Sequence, residues 1–434
     1  MKEIKVTVAV VGIGTAGFGC AYTLLKNGVK TALIEKNNGF GGTSVFGGVN
    51  CWEPGVCDGE LHNILADKLF KIPNACAVCK TIPGGMLFGD NDGNFDKYPW
   101  GLSVTDENGQ YSDTLKRCLS LTGGKDYRRF QFEPKCMDKT MQDMISKYSD
   151  NAVIMINTEF VSCKVDGRCI RSIDVKNKDG ITRIYADYFV DSTGDIYLSR
   201  AAGCETTIGA EGKVAYNELS AIEDKNNING VTYVFRLKKL HDKKRENEPS
   251  ERMVISCFNL YPNGDINVNM LPTFKGSEYL LLGDNADSEG KKKILEYWDW
   301  LKKEKGLDNY ELEEIFPQAG IREGYRLVGR YVLTENDVIS GRCDYSGKIA
   351  AMADHPIDMH GGTKGCTEIE KPYAIPMECL MPKEIDNMLV ACRGASFSHI
   401  AASSARLSRT MLTLGESAGM YIAKKLLKGK YNNE

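Results

Sequence analysis

Lys5-Val-Thr-Val-Ala-Val-Val11 runs directly into Gly12-Ile13-Gly14-Thr15-Ala16-Gly17. The first stretch is β-branched and apolar, as a strand covered on both faces should be. A helical pattern follows at once, with Ala21, Leu24 and Leu25 apolar and Gly28 as its stop, and Lys30-Thr-Ala-Leu-Ile-Glu35 then reads as a second strand. The unit is strand, tight turn, helix, strand. Gly12 allows the turn, Gly14 lets backbone approach a pyrophosphate, and Gly17 lets helix and strand pack closely. Thr15 and Ala16 open the helix, whose free N–H groups point at the phosphates. Glu35, at the tip of the second strand, can accept hydrogen bonds from the hydroxyls of a ribose. These features predict an α/β fold that binds a dinucleotide.

The residues after Glu35 and Lys36 narrow the choice: Gly39-Phe40-Gly41-Gly42-Thr43-Ser44-Val45-Phe46-Gly47-Gly48. A nicotinamide dehydrogenase has no need of this second glycine cluster. Between Gly17 and Glu35 lie 17 residues, and here the chain resembles flavoproteins of the glutathione reductase type. In those proteins a glycine fingerprint, the same interval and an acid precede a Gly-Gly-Thr/Ser segment running under the flavin. The resemblance implies FAD, with Gly41, Gly42, Thr43, Ser44, Gly47 and Gly48 giving the ribityl chain and ring a wall without bulky side chains.

Further along, a helix pattern over Glu133–Tyr148 leads into a strand at Ala152–Ile156. A three-strand meander then spans Phe160 to Ile184, with turns at Asp166-Gly167 and Lys178-Asp-Gly180. A strand from Ala186 ends in Thr193-Gly194-Asp195, which resembles the second fingerprint of these flavoproteins. Asp386–Arg393 reads as another strand, followed by a long helix from about Ser408 to Leu427 with Met411, Leu412, Gly415, Ala418, Gly419 and Ile422 on its packed face. Together with Ile321–Arg326, Pro356–His360 and the run from His399 through Arg406 to Gly419, these segments resemble the broad bacterial FAD-dependent oxidoreductase family related to the flavin subunit of heterodisulfide reductase. That family's usual Ala-Gly-Arg-Cys is replaced here by Ala391-Cys392-Arg393-Gly394. The resemblance adds Lys36, Val161, Arg393, Thr410 and Met411 to the expected cofactor contacts.

The expected architecture is a Rossmann-like FAD-binding domain with a three-strand β-meander, assembled from residues 1–60, 130–210 and 380–434. Residues 61–129 form an insertion near the active site. Residues 211–379 form an inserted α+β substrate or lid domain, with strand patterns at Thr232–Leu237, Met253–Phe258 and Ile266–Met270, a charged loop from His241 to Arg252, and a helix carrying Ile294, Leu295, Trp298 and Leu301.

With 434 residues and a formal charge of -3, the chain has ample material for two or three lobes and no basic excess for nucleic acid or anionic lipid. No stretch approaches the ~18 apolar residues that cross a bilayer. Fifteen cysteines, an odd number strewn along the chain without a secretion signal, predict reduced thiols and a cytoplasmic location.

A flavin carries out the electron transfer itself, so the protein must supply positioning, proton relays and charge. Three of the five histidines, His355, His360 and His399, fall in the last 80 residues. His399 and His360 are candidate proton donors or substrate anchors. Arg322 and Arg326, four apart in a strand-like segment, would share a face and could clamp a carboxylate or phosphate. Arg406 and Arg409 could neutralise a reduced flavin. No metal site is expected of the principal reading, which is hydride or electron transfer between FAD and a small organic substrate under the lid. The alternative is an electron-transfer subunit of the heterodisulfide reductase type. It would work with a redox partner protein and use Cys76 and Cys79 as a disulfide, or Cys51, Cys57, Cys76 and Cys79 on a [4Fe–4S] cluster. No second GxGxxG provides a built-in nicotinamide domain, so electrons must come from substrate or partner.

Overall fold

In the computed structural model, which describes residues 1–52, 56, 59–81, 127–240, 256–260, 265–270, 272–305, 307–360 and 365–431, the chain is a mixed α/β protein. Its centre is a five-stranded parallel sheet in the order Met388–Val390, Tyr188–Asp191, Val8–Val11, Thr31–Ile34, Ala152–Met155. Val8 to Val11 are all buried, the reason a continuous β-branched run forms this central strand. The helix Thr15–Lys26 packs on the sheet and ends where Gly28 takes φ +72, a left-handed position that suits glycine.

The chain before that sheet departs from expectation. Lys5 to Val11 is not one strand: Lys2–Lys5 pairs in parallel with Gly180–Tyr185 at the edge of the meander, and Val8–Val11 belongs to the parallel sheet. Thr7 and Val8 both donate to the carbonyl of Lys30 where the chain changes sheets. The meander itself, Glu159–Asp166, Cys169–Asn177 and Gly180–Tyr185, is antiparallel with the expected turns.

The C-terminal helix Ser408–Tyr431 crosses the first helix at very short range. A Cβ on Gly415 would stand 1.9 Å from the carbonyl oxygen of Ala16, and one on Gly19 would stand 2.5 Å from that of Leu412. Absent side chains at these positions let two helix N-termini converge on one end of the sheet.

A second core lies in the 211–379 region. Ser256–Leu260, Ile266–Met270, Val234–Lys239 and Tyr310–Ile315 form an antiparallel sheet in that order, covered by the helix Ala286–Lys305. Ile294, Trp298 and Leu301 are buried with Phe235, Leu237, Ile266 and Val268. Leu295 is half-exposed, because a residue one step from Ile294 is rotated about 100° off the buried stripe. The charged loop His241–Arg252 and the first residues of the Met253–Phe258 strand pattern lie outside the described residues.

Near the insertion, Cys51–Trp52, Tyr127–Phe132 and Cys76–Thr81 make a three-stranded sheet, and Leu61–Leu69 is a helix. Among the described residues no helix is long and apolar enough to cross a membrane.

Candidate functional site

The end of the parallel sheet opens into a cleft of about 650 Å³. One side is the fingerprint turn. Gly12 takes φ +86, and a Cβ there would stand 2.5 Å from the carbonyl oxygen of Ser192; a Cβ on Gly17 would fall 1.9 Å from the carbonyl oxygen of Gly12. Both glycines serve packing. Gly14 differs: it has an ordinary extended conformation, and its added Cβ would meet only the Cα of Gly42, at 3.9 Å, on the cleft wall. Gly14 is also the N-cap of the first helix, which has neither a side-chain cap nor an acid in its first turn. The helix therefore presents N–H groups and a partial positive charge to the cleft without protein neutralisation.

Glu35 closes one end. Its carboxylate accepts from the backbone N–H of Ile13 at 2.6 Å and from the N–H and Nδ2 of Asn37 at 2.9 and 2.8 Å. Burial pushes its carboxyl up, and these donors pull it back. A carboxylate has about four acceptor positions, so capacity remains toward the cleft, whose wall continues through Lys36, Asn37, Thr158 and Phe160.

The tip of the Tyr188–Asp191 strand supplies the opposite wall. Buried Asp191 accepts from the N–H and hydroxyl of both Thr193 and Ser199, locking the Ser192–Asp195 loop in place. The loop leaves through Ile196 at φ +47, a costly conformation for a β-branched residue that surrounding structure must impose. Asp195 pairs with Arg393 at 3.1 Å. Arg393 Nε is buried without a hydrogen-bond partner, on the cleft wall.

The FAD dependent oxidoreductase family pattern matches residues 7–432. The chain belongs to this family. It is an FAD-dependent oxidoreductase. A thiamine thiazole synthase of Thermotoga maritima is 38% identical over 66 residues, 15% of this chain and 26% of that protein; the chain thus matches about a quarter of that relative's length. Among solved structures it is similar to a geranylgeranyl bacteriochlorophyll reductase-like protein from Thermoplasma acidophilum, at 14% identity over 99% of this chain and 80% of that one, TM-score 0.48. It is also similar to the p-nitrophenol 4-monooxygenase of Pseudomonas putida, at 14% identity over 76% and 70%, TM-score 0.44.

The cleft of this FAD-dependent oxidoreductase fits its cofactor on the chain's own features. The wall extends from Glu35 to the start of the C-terminal helix at Leu407, Ser408 and Met411. It has an uncapped helix N-terminus between and an open space where Gly14 would carry a side chain. An elongated, doubly charged dinucleotide needs that combination.

Of the residues expected from sequence, Gly12, Gly14, Thr15, Ala16, Glu35, Lys36, Gly41, Gly42, Thr43, Ser44, Thr193, Gly194, Asp195, Arg393 and Met411 line the cleft. Gly17, Gly47 and Gly48 lie behind it: added Cβ atoms would strike the Gly12 carbonyl, the Thr43 carbonyl and the Phe316 ring. Thr410 is buried in the C-terminal helix and is not on the wall. Val161 is half-exposed, since the ladder slips between Phe160 and Ser162, and Phe160 faces the cleft instead.

The expected catalytic residues separate. Arg322 and Arg326 do not share a strand face, because Gly320–Ile321 and Arg326–Leu327 are distinct short strands with an irregular link between them. Arg322 lines the cleft, donating to Gly230 O at 3.1 Å and Thr232 Oγ1 at 2.5 Å. Arg326 is almost wholly buried, paired with Glu323 and Glu211 and donating to the carbonyls of Gly209 and Phe397. His399 joins that interior network rather than the cleft, its Nδ1 2.9 Å from Glu323; burial, with Arg326 second, pushes it down to about 4. His360 pairs with Asp358 at 2.6 Å, close enough to Arg322 and Arg406 for both cations, after burial, to lower its pKa.

Sequence reading missed the share of the wall that comes from the 211–379 region, Thr232, Asn269, Tyr279, Asp287 and the run Pro317–Ile321. Only the alternating strand patterns could have signalled the first two. The cysteine alternative finds no support. Positions 76 and 79 lie on one extended strand, where residues three apart are about 10 Å apart at Cα, beyond disulfide reach. The Cys76 thiol is pushed up to about 12, mainly by burial. Cys57 and the side chain of Cys79 lie outside the described residues, and among those described no group of three or more His, Cys, Asp or Glu could hold a metal ion.

Proposed function

We propose that this FAD-dependent oxidoreductase holds FAD along the cleft and exchanges a hydride or electrons with a small organic substrate beneath the 211–379 region, acting as a lid. What supports this reading is that one cleft takes its wall from both the fingerprint and the lid: Gly14, Gly42 and Thr193 on one side, Thr232, Asn269 and Ile321 on the other. Residues 1–60, 130–210 and 380–434 would form the cofactor-binding part, with 61–129 inserted beside it.

Bound FAD supplies the redox chemistry. The chain's own groups do the rest. Glu35 accepts hydrogen bonds from ribose hydroxyls. The free N–H groups at Thr15 and Ala16 bind phosphate oxygens, with the helix dipole favouring their charge. Arg393 offers its remaining donor beside Asp195. Gly41 to Ser44 permit a flat ring to lie against backbone, and Arg406 with the start of the Ser408–Tyr431 helix holds negative charge near it. The lid's antiparallel sheet keeps water from the reacting face. Electrons would come from the substrate or a redox partner protein, and the free thiols of the described cysteines suit a cytoplasmic setting.

The test is an absorption spectrum of the purified protein before and after dithionite, with iron measured on the same sample. A bleachable flavin spectrum without iron is the expected result. A colourless protein that takes up no added FAD, or an iron–sulfur spectrum, would overturn the reading.

A further inference from the structure

Two residues from distant parts of the chain meet at the Glu35 end of the cleft. Asn37 follows the strand Thr31–Ile34 of the parallel sheet, and Gln318 belongs to the 211–379 region. Both line the cleft, and the Asn37 amide donates to the Gln318 side-chain oxygen at 3.2 Å. The segment carrying Gln318 is tied down on both sides. Phe316 donates its N–H to Val234 O at 3.0 Å, and Gln318 donates its own N–H to Phe46 O at 3.0 Å. The Phe316 ring fills the space that a side chain on Gly48 would need.

Donors and acceptors at this end can be followed atom by atom. Glu35 already accepts from Ile13 and Asn37, and as a carboxylate it offers a ribose only further acceptor positions. A ribose hydroxyl is donor and acceptor at once, so one that donates to Glu35 still needs a donor for its own oxygen where water is excluded. The neighbouring polar groups have committed theirs. Asn37 uses its amide N–H groups on Glu35 at 2.8 Å and on Gln318 at 3.2 Å, and the Thr158 hydroxyl donates to Ile156 O at 2.9 Å. Lys36 is exposed, a strongly hydrated charge on a flexible stem. Gln318 engages Asn37 through its oxygen, which leaves its amide N–H groups as donors on this wall.

Resting on the placement of FAD in this cleft with its adenosine at Glu35, we propose that Gln318 is a cofactor-specificity residue: its amide donates to the adenosine-ribose hydroxyl whose proton goes to Glu35. The ribose is then held between the fingerprint unit and the 211–379 region. FMN lacks that ribose, so the contact selects the dinucleotide. Asn37, bonded to Glu35 and Gln318 together, is a positioning residue for both.

The experiment titrates the apoprotein, shown to be folded by its melting temperature, with FAD and with FMN, following flavin fluorescence. The native chain should bind FAD more tightly. Gln318→Met, similar in length but without the amide, should raise the dissociation constant for FAD about fivefold, as for loss of one neutral hydrogen bond, and leave that for FMN unchanged. Gln318→Glu still offers Asn37 an oxygen but replaces the donor with a second carboxylate. Its constant for FAD should rise at least as much, which separates loss of the donor from loss of the Asn37 contact. An unchanged FAD constant in either variant, or an equal weakening of FMN and FAD in Gln318→Met, overturns the assignment. Failure of the native chain to bind FAD would instead overturn the cofactor placement beneath it.

Discussion

Gly14→Ala separates cofactor loss from unfolding, which most changes in a glycine fingerprint do not. Gly14 has φ -68 and ψ -168, open to any L-residue, and its new methyl would touch protein only at ordinary contact distance, 3.9 Å from Gly42 Cα. The apoprotein should therefore change by less than about 1 kcal/mol. The methyl would project into the space where the helix N–H groups meet phosphate. Loss of two charge-assisted hydrogen bonds at about 1.5–3 kcal/mol each weakens FAD binding by about 3–6 kcal/mol, roughly 10²- to 10⁴-fold. Flavin content, an FAD titration by fluorescence quenching and the melting temperature of the apoprotein give the three readouts. A variant that keeps a full complement of flavin with an unchanged dissociation constant would refute the pyrophosphate site. A variant whose apoprotein is already unfolded would refute the claim that Gly14 faces open cleft.

Gly415→Val should do the opposite, lowering apoprotein stability by about 3 kcal/mol or more as an overpacked core does and taking flavin with it. Its Cβ would overlap the carbonyl of Ala16 in the first helix; equal melting temperatures would contradict the close helix crossing. His399→Ala should cost about 2–4 kcal/mol while leaving the rate of substrate-driven flavin reduction per bound flavin unchanged, because the ring lies in the Glu323–Arg326 network; slowed reduction at full stability would return it to the active site. His399 and His62 are pushed down to about 4 and about 3, burial leading in both, with Arg326 beside the first and Arg409 beside the second. A depressed histidine is neutral in the fold while the unfolded chain takes up the proton, so stability falls as pH drops below about 6.5. Each contributes a loss of roughly 2 kcal/mol between pH 6.5 and 5, and denaturant midpoints at the two pH values should show His399→Ala with the shallower dependence; an identical slope would contradict the assignment.

The parallel sheet and the fingerprint were legible because their signals are local. A buried run, a glycine turn and an amphipathic helix all lie within 35 residues, and each follows from backbone sterics alone. The split of the first strand was not legible. Lys2–Lys5 and Val8–Val11 share one β pattern, and what separates them is pairing with Gly180–Tyr185, far away in sequence. Leu295 was misplaced for a different reason: helical spacing identifies a stripe, but its width depends on how the Val234–Lys239 sheet sits beneath it.

The two halves of the site differ in the same way. The residues expected to hold the cofactor are glycines, short hydroxyls and helix N–H groups whose roles follow from position in a motif, and most of them line the cleft. The side chains that the 211–379 region adds to the cleft are aimed by the packing of that region, and no spacing rule aims them. Arg322 and Arg326 illustrate this: four residues apart, one faces the cleft and the other is locked in the interior by Glu211 and Glu323. What decides is the break in the strand between them, and it contains Gly324, where a Cβ would lie 1.8 Å from a carboxylate oxygen of Asp195. The Ser192–Asp195 loop and the 211–379 region meet at that glycine. A substitution at Gly324 should consequently disturb the placement of Arg322 and the Asp195–Arg393 pair together, whereas the fingerprint turn at Gly12 to Gly17, held by its own packing, should not register it.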